Sequence, residues 1–433
     1  MNFQPTPLKY KNDDKPGAWP MLMYGLQWFL ITVPIVLIIS AVVGDFQLTT
    51  LFERTFYTQK LFALTGIGLI VQVLFGHRMP LVIGPAAVLL VGVISTQASQ
   101  ATEVYTAIIC GGALLALISF SGAMKYIANV FTVRIVIVIL ALIAFTLTPT
   151  ILKLLFADAT NPFFSLCFTF GLAFLMLLGN KLLPGIWKSS IVLWGLVIGS
   201  LCYALLIGGT PVLPIEEPIT ATRAAHSLLL SDLVFDPGII LSFFFCYIAL
   251  FINELGSVQS VGTAIDLGDM ERRTRLGLRF TGFINILSGA MGVIGPVDFS
   301  LSPGVIMSTG CASRYTLIPA GVLLIVCAFF PTVILFLSAI PKPVMGVILL
   351  YLMTTQLSSA FQLVAQDRAL PDFNSCMTIA FPIMIALVVS FMPPTVGASM
   401  PPILRPLLAN GFVMGVISVL LMEHWVFRKK KEA

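Results

Sequence analysis

Charge is scarce in this sequence. Only 10% of its 433 residues are Asp, Glu, Lys or Arg, 58% are hydrophobic, and the mean hydropathy is +1.01. So small a stock cannot cover the surface of a soluble protein of this length, which excludes a water-soluble enzyme or binding module and leaves a chain that lives in lipid. Paired cysteines are also missing. The seven cysteines, at 110, 167, 202, 246, 311, 327 and 376, fall mostly in apolar runs without a C-x-x-C spacing, so they read as small hydrophobes and not as a disulfide or zinc framework. His77, His226 and His424 lie at span ends or in a loop with no acid at metal-ligand spacing, and no metal site is expected. There is no Walker A loop and no strand-GxGxxG-helix unit, so an ATP-driven pump or a dinucleotide enzyme has no motif to stand on. No nucleophile-base cluster marks an enzyme, and no cofactor is expected. A cleavable signal is absent too: the first twenty residues are polar, with Lys9, Lys11 and Lys15, and the apolar run after Pro20 is long and lacks a small-residue cleavage site.

What the sequence does have is apolar runs, each near the roughly 20 residues that carry a helix across a ~30 Å hydrocarbon core. Punctuated by Pro, Gly and charge, they predict fourteen spans, near 21–43, 58–76, 80–97, 103–123, 130–150, 162–180, 187–208, 238–262, 276–293, 295–310, 316–337, 343–361, 375–392 and 403–427. With the N-terminus inside, 18 of the 24 Lys and Arg fall on the cytoplasmic side, which favours this orientation and an even span number. The chain then divides into a cytoplasmic tail (1–20), a seven-span half (21–208), a periplasmic connection (209–237) holding Glu216, Glu217, Asp232 and Asp236, a second seven-span half (238–427) and a basic cytoplasmic tail (428–433). The net charge of +5 follows from that bias and from Arg428-Lys429-Lys430-Lys431, and calls for no nucleic-acid partner.

The two halves share a motif. Ile83-Gly84-Pro85 in span three and Ile294-Gly295-Pro296 in span ten are 211 residues apart, and the same offset carries the start of span one close to that of span eight. Seven is odd, so the halves have opposite topology, the inverted repeat common among secondary transporters. Gly-Pro breaks the helical ladder, and the freed backbone groups cannot face lipid but can line a shared cavity. There the N-termini of the half-helices turn their amides toward a ligand. Two acids lie inside the membrane on this map: Glu254 in span eight and Asp298 in the broken part of span ten. A carboxylate there costs at least ~2.5–3.5 kcal/mol on insertion scales, so such groups usually face a polar cavity and serve ligand or proton. Gln27, beside Trp28 in span one, can supply a donor and an acceptor to an amide-like edge or bond a neighbouring helix.

On these residues, from Gly25-Leu26-Gln27-Trp28 to Leu408-Ala409-Asn410-Gly411, the chain resembles the nucleobase:cation symporter-2 family of uracil and xanthine permeases, most of all its purine/pyrimidine permease branch. The resemblance implies an all-α membrane fold of fourteen spans in two inverted repeats. It also implies core and gate domains, and short antiparallel strands breaking spans three and ten around the substrate. It implies that Glu254 is the span-eight glutamate that hydrogen-bonds the base, and that Gln27 is the first residue of a Gln-His pair, with Trp28 at the His place. In the span-ten signature Gly304 and Thr309 fit, whereas Leu301 replaces the second substrate-binding polar residue and Ser302 an Asn. Val258 stands where His or Asp is frequent, and Thr281 supplies the following polar residue. Asp298 then offers a replacement acceptor, Ala87, Ser300 and Ser302 backbone or hydroxyl groups, and Phe299 a flat face for the base.

The function this implies is import of a purine or a uracil- or xanthine-like base across the inner membrane. Protons provide the driving force through Glu254 and Asp298, and a homodimer is left open. The rival is a sulfate-type anion carrier on the same fold, for which membrane carboxylates at the site are the wrong charge.

Overall fold

Caps and prolines set where the helices begin. The computed structural model describes residues 8–96, 100–122, 124, 130–157, 162–184, 187–188, 190–207, 228–230, 232–299, 301–366, 370–401 and 404–427. The first helix, α1 (Ala18–Gln47), is followed by α2 (Leu51–Leu74), opened by a capping box in which the Thr50 hydroxyl accepts from the Glu53 amide and the Glu53 carboxylate accepts from the Thr50 amide. A short strand, β1 (Ile83–Pro85), leads into the half-helix α3 (Ala87–Ser95). The chain continues through α4 (Ala101–Ser121), α5 (Val133–Thr146), α6 (Thr148–Leu155), α7 (Pro162–Leu182) and α8 (Ile191–Ile207). The Asp236 carboxylate caps α9 (Pro237–Ala264) by accepting from the Ile239 amide at 2.8 Å, with Pro237 in the first turn, where its missing N–H costs nothing. After α10 (Met270–Ala290), β2 (Pro296–Asp298) leads into α11 (Ser302–Thr309). The remaining long elements are α12 (Leu317–Ala328), α13 (Pro331–Ser338), α14 (Lys342–Gln366), α15 (Phe373–Ser390) and α16 (Gly411–Leu421).

Eight of the described helical stretches are long and apolar enough to cross a membrane, nine if α12 and α13, bent by 99° at Pro331, make one span. The helix α10 falls outside this set because Arg272, Arg273, Arg275 and Arg279 crowd its first half. The Gly-Pro stretches lead into half-helices, as the Gly-Pro reading expects, and form the short strands that the resemblance implies. Most of the connection at 209–237, including Glu216 and Glu217, and the tail at 428–433 lie outside the described residues.

Two close helix crossings frame the centre. A Cβ added at Gly112 of α4 would stand 2.8 Å from the Gly282 carbonyl oxygen of α10, and one at Gly66 of α2 would stand 2.6 Å from the Gly321 carbonyl oxygen of α12. Small residues let the backbones touch, the packing that stabilises helices inside lipid, where no hydrophobic force drives association. Ahead of α1, residues 9–14 lie along the chain that follows α11. Lys9 N donates to Gly310 O (2.7 Å), Ala312 N to Tyr10 O (2.9 Å) and Ser313 Oγ to Asp14 O (2.6 Å).

Candidate functional site

The two strands meet antiparallel, with Ile83 opposite Asp298, Gly84 opposite Val297 and Pro85 opposite Pro296. Backbone bonds extend the pairing at both ends, from Ala86 N to Gly295 O (2.9 Å) and from Phe299 N to Val82 O (2.8 Å). Side chains hold the ribbon in place. The Asn285 amide donates to Pro296 O (2.9 Å), and Ser302 Oγ accepts from Val82 N (3.0 Å) while lying 3.1 Å from Phe299 O. Gly84 has no side chain for a reason: a Cβ there would stand 2.5 Å from the Phe299 ring, which lies over the strand. All six strand residues are buried, so backbone groups that lipid could not satisfy are paired across the break.

On one side of the ribbon is a cavity of about 110 Å³, several times the ~10–15 Å³ that one water needs. Its walls come from Ile35, Ile38 and Ile39 of α1, Pro85, Ala87 and Val88 at the first break, Val297, Phe299 and Leu301 at the second, Ile143 of α5, and Leu349, Leu352, Met353, Thr355 and Gln356 of α14. Asn253 of α9 completes it and also lines a second cavity of about 690 Å³ that follows α9 to Ala264. The walls of that larger space include Ser257, Gln259, Ser260 and Thr263 of α9, facing Ser359 and Gln362 of α14. No charged side chain lines either cavity among the described residues. Neither half-helix has a side-chain cap at its N-terminus, and Ala87 and Leu301, at those two ends, line the smaller cavity.

The carboxylates lie on the other side. Glu254 is fully buried. Its Oε1 accepts from the Thr281 hydroxyl at 2.6 Å and its Oε2 from the Asp298 amide at 3.2 Å, while Gln72 Nε2 donates to Thr281 Oγ at 2.7 Å. Asp298 is fully buried too, and its carbonyl accepts from Asn253 Nδ2 (3.2 Å) and Ser257 Oγ (3.0 Å). Its carboxylate stands 3.5 Å from His77 Nε2. Of the eight residues singled out in the sequence, then, the structure brings Ala87, Phe299 and Leu301 to the cavity wall. Glu254 and Asp298 sit behind the strand pair and line neither cavity: the Glu254 carboxylate finds its donors in the β2 amide and the Thr281 hydroxyl, and the Asp298 carboxylate faces His77. Gln27 is buried on α1 away from both cavities, Ser302 is spent on the ribbon, and Ser300 lies outside the described residues. Trp28 donates from Nε1 to Thr316 Oγ at 3.1 Å.

Sequence reasoning passes over Asn253, Gln72 and His77. Asn253 could have been noticed as a polar neighbour of Glu254 one residue earlier on α9. His77 carries no local signal, since its partner is 221 positions away.

Comparison with known proteins gives a family and a fold. A family model described as "Permease family" (Xan_ur_permease) matches residues 20–395. The chain is 23% identical over 433 aligned positions to the putative purine permease YwdJ of Bacillus subtilis, covering 95% of this chain and 97% of that one. It is 26% identical to the putative purine permease CPE0397 of Clostridium perfringens over 249 positions; that alignment covers 57% of this chain and spans about half of the relative, 53%. Among solved structures, the transmembrane domain of the cyanobacterium bicarbonate transporter BicA superimposes with a TM-score of 0.62 at 14% identity, over 88% of this chain and 98% of that one. At that identity the likeness speaks to fold alone.

Proposed function

Since this chain belongs to the Xan_ur_permease family of permeases, and is a multi-pass membrane transporter and not an enzyme, we propose that it imports a nucleobase across the inner membrane in symport with protons. The observation that carries this reading is the uncharged cavity at the strand pair. A flat Phe299 ring, the Asn253 amide, Thr355 and Gln356 offer stacking and hydrogen bonds to a neutral heterocycle, in an otherwise apolar shell that strips it of water. The larger cavity along α9, lined by Ser, Thr, Asn and Gln, suits passage of the same kind of solute.

Glu254 and Asp298 act here as the proton-handling groups, and Glu254 reaches the base through the Asp298 backbone that it holds. A mid-membrane carboxylate that must take up or lose a proton before the loaded site can turn is the simplest coupling device, since desolvation penalises the ionised form. Alternating access then comes from movement between a core, bearing α1, the two breaks and α9, and a gate, bearing α5 and α14; the cavity lies at their boundary. Fourteen spans in inverted repeats, with both termini cytoplasmic, fit the 211-residue offset of the two breaks. They also fit the two glycine crossings, α4 on α10 and α12 on α2, which that offset carries into one another.

The anion reading draws on the fold shared with the BicA domain, but a cavity with no cation among its described lining residues, and with two carboxyl groups behind its wall, offers an anion no counter-charge. Uptake of radiolabelled xanthine by cells expressing the protein, in competition with uracil, hypoxanthine, urate, sulfate and bicarbonate, decides. Xanthine uptake competed by heterocycles alone is expected; no uptake of labelled xanthine, with labelled sulfate or bicarbonate taken up instead, overturns the proposal.

A further inference from the structure

Behind the strand pair lies a histidine that the transport reading has not used. His77 follows α2 in the bend leading to β1 and is fully buried. Its Nδ1 accepts the Met79 amide at 3.0 Å, and its own amide lies 3.4 Å from Gln72 Oε1. A ring nitrogen that accepts an amide proton cannot also carry one, so the neutral imidazole bears its proton on Nε2. That nitrogen faces Asp298 Oδ1 at 3.5 Å, and the Glu254 carboxyl of α9 also bears on the Asp298 side chain.

Three other charged groups face the ring. Glu254 comes from α9. Arg273 comes from α10 and donates from its guanidinium to His77 O at 3.1 Å and Arg78 O at 2.9 Å. Arg314, beyond α11, donates to Val73 O at 2.6 Å. Burial above all opposes a second proton on the imidazole; Glu254 favours it, and the two guanidiniums add to the opposition.

We propose that Asp298 carries the transported proton and that His77 is its positioning residue, the two forming a coupled pair behind the strands. This rests on the reading of the chain as a proton symporter. With Asp298 ionised, Nε2–H donates to Oδ1. A proton arriving on Oδ1 sets O–H against N–H, so the pair must rearrange: the carboxyl turns its other oxygen to the N–H, or the ring turns and gives up the Met79 amide. Either movement reaches the cavity, because Asp298 is in register with Ile83 and residues 77–82 feed β1. The proton later leaves Asp298 for water, the carboxylate returns, and no other bond is made or broken.

Two measurements test the pair. With only three histidines in the chain, ring-15N spectra of the purified protein are assigned by His77→Asn. The expected signal is a neutral ring protonated at Nε2 whose resonance shifts in a single titration step, a step that disappears in Asp298→Asn. In cells, His77→Asn supplies an Asx-turn oxygen for the Met79 amide but no Nε2–H. It should fold and transport xanthine downhill, with the dependence of uptake on external pH lost. An Nδ1-protonated ring, a His77 resonance indifferent to Asp298→Asn, or a wild-type pH profile in His77→Asn overturns the proposal. If the wild type takes up no base at all, the transport reading falls instead, and the ring spectrum still decides the pair.

Discussion

Replacing Glu254 tests whether it is a ligand in the cavity or a strut behind it. In the structure its two oxygens each accept one hydrogen bond, from the Thr281 hydroxyl and the Asp298 amide, and both donors are fully buried. Glu254→Leu strands both. An orphaned buried donor costs about 1–3 kcal/mol, so the loss amounts to about 2–6 kcal/mol. Glu254→Gln can turn its carbonyl to the Asp298 amide and its NH₂ to Thr281 Oγ, losing only the charge assistance, about 1–2 kcal/mol. Thermal unfolding of the two purified variants and the wild type in one detergent should rank them wild type, Gln, Leu, with the wider gap between Gln and Leu. Both variants should also fail to accumulate xanthine against a gradient, since neither leaves an ionisable group beside Asp298 to share in the proton step. A Leu variant that melts together with the Gln variant would refute the reasoning, because it would mean that water from the cavity already satisfies the Asp298 amide and the Thr281 hydroxyl.

Two further outcomes follow from the packing. Gly84→Val should push the Phe299 ring off the strand, since even the first added carbon comes within 2.5 Å of it; overpacking of this kind costs about 1–3 kcal/mol, and xanthine uptake should fall while Ala86→Gly, nearby, leaves it measurable. The Asp13 carboxyl is held below its ordinary value of 3.8: burial works to raise it, but hydrogen bonds from Asn12 and Arg314 and the charges of Arg314 and Arg273 outweigh that. A lowered value in the folded state means stability present above 3.8 and lost as acid carries the pH through the folded value, so hydrogen exchange at residues 9–14 should quicken only in that acid range, and Asp13→Asn should remove the acid dependence.

Much of the fold is legible in the sequence because lipid leaves few choices. Composition alone requires buried helices, and a Gly-Pro in mid-membrane requires that its neighbours' backbone groups be paired elsewhere, which is the ribbon between Ile83–Pro85 and Pro296–Asp298. Repetition of Ile-Gly-Pro made the two breaks recognisable as one site. The side of the ribbon on which each polar group falls was not legible. Glu254 and Asn253 are adjacent in sequence, yet about 100° apart around a helix, so one binds the Thr281 hydroxyl behind the ribbon and the other joins the cavity wall while holding the Asp298 carbonyl. The bend of 99° at Pro331 was likewise hidden inside a run that reads as one continuous span. Nothing near His77 announces Asp298, because what joins them is the return of the chain to the same point after the second half has folded.

The ribbon also governs how the chain is made. Its partners are 215 positions apart, Ile83 with Asp298, so at ~5–20 residues per second the first break waits about 10–40 s for the second to emerge from the ribosome. Throughout that interval the carbonyls and amides around Gly84 have no partner strand, and hydrocarbon gives them none. The half-helix Ala87–Ser95, only nine residues long, cannot cross a bilayer unaided. Its insertion therefore belongs to a late stage, after residue 298 has emerged: the first half stays in a sheltered, hydrated setting until β2 arrives, and a chain truncated before residue 296 has no route to its native depth.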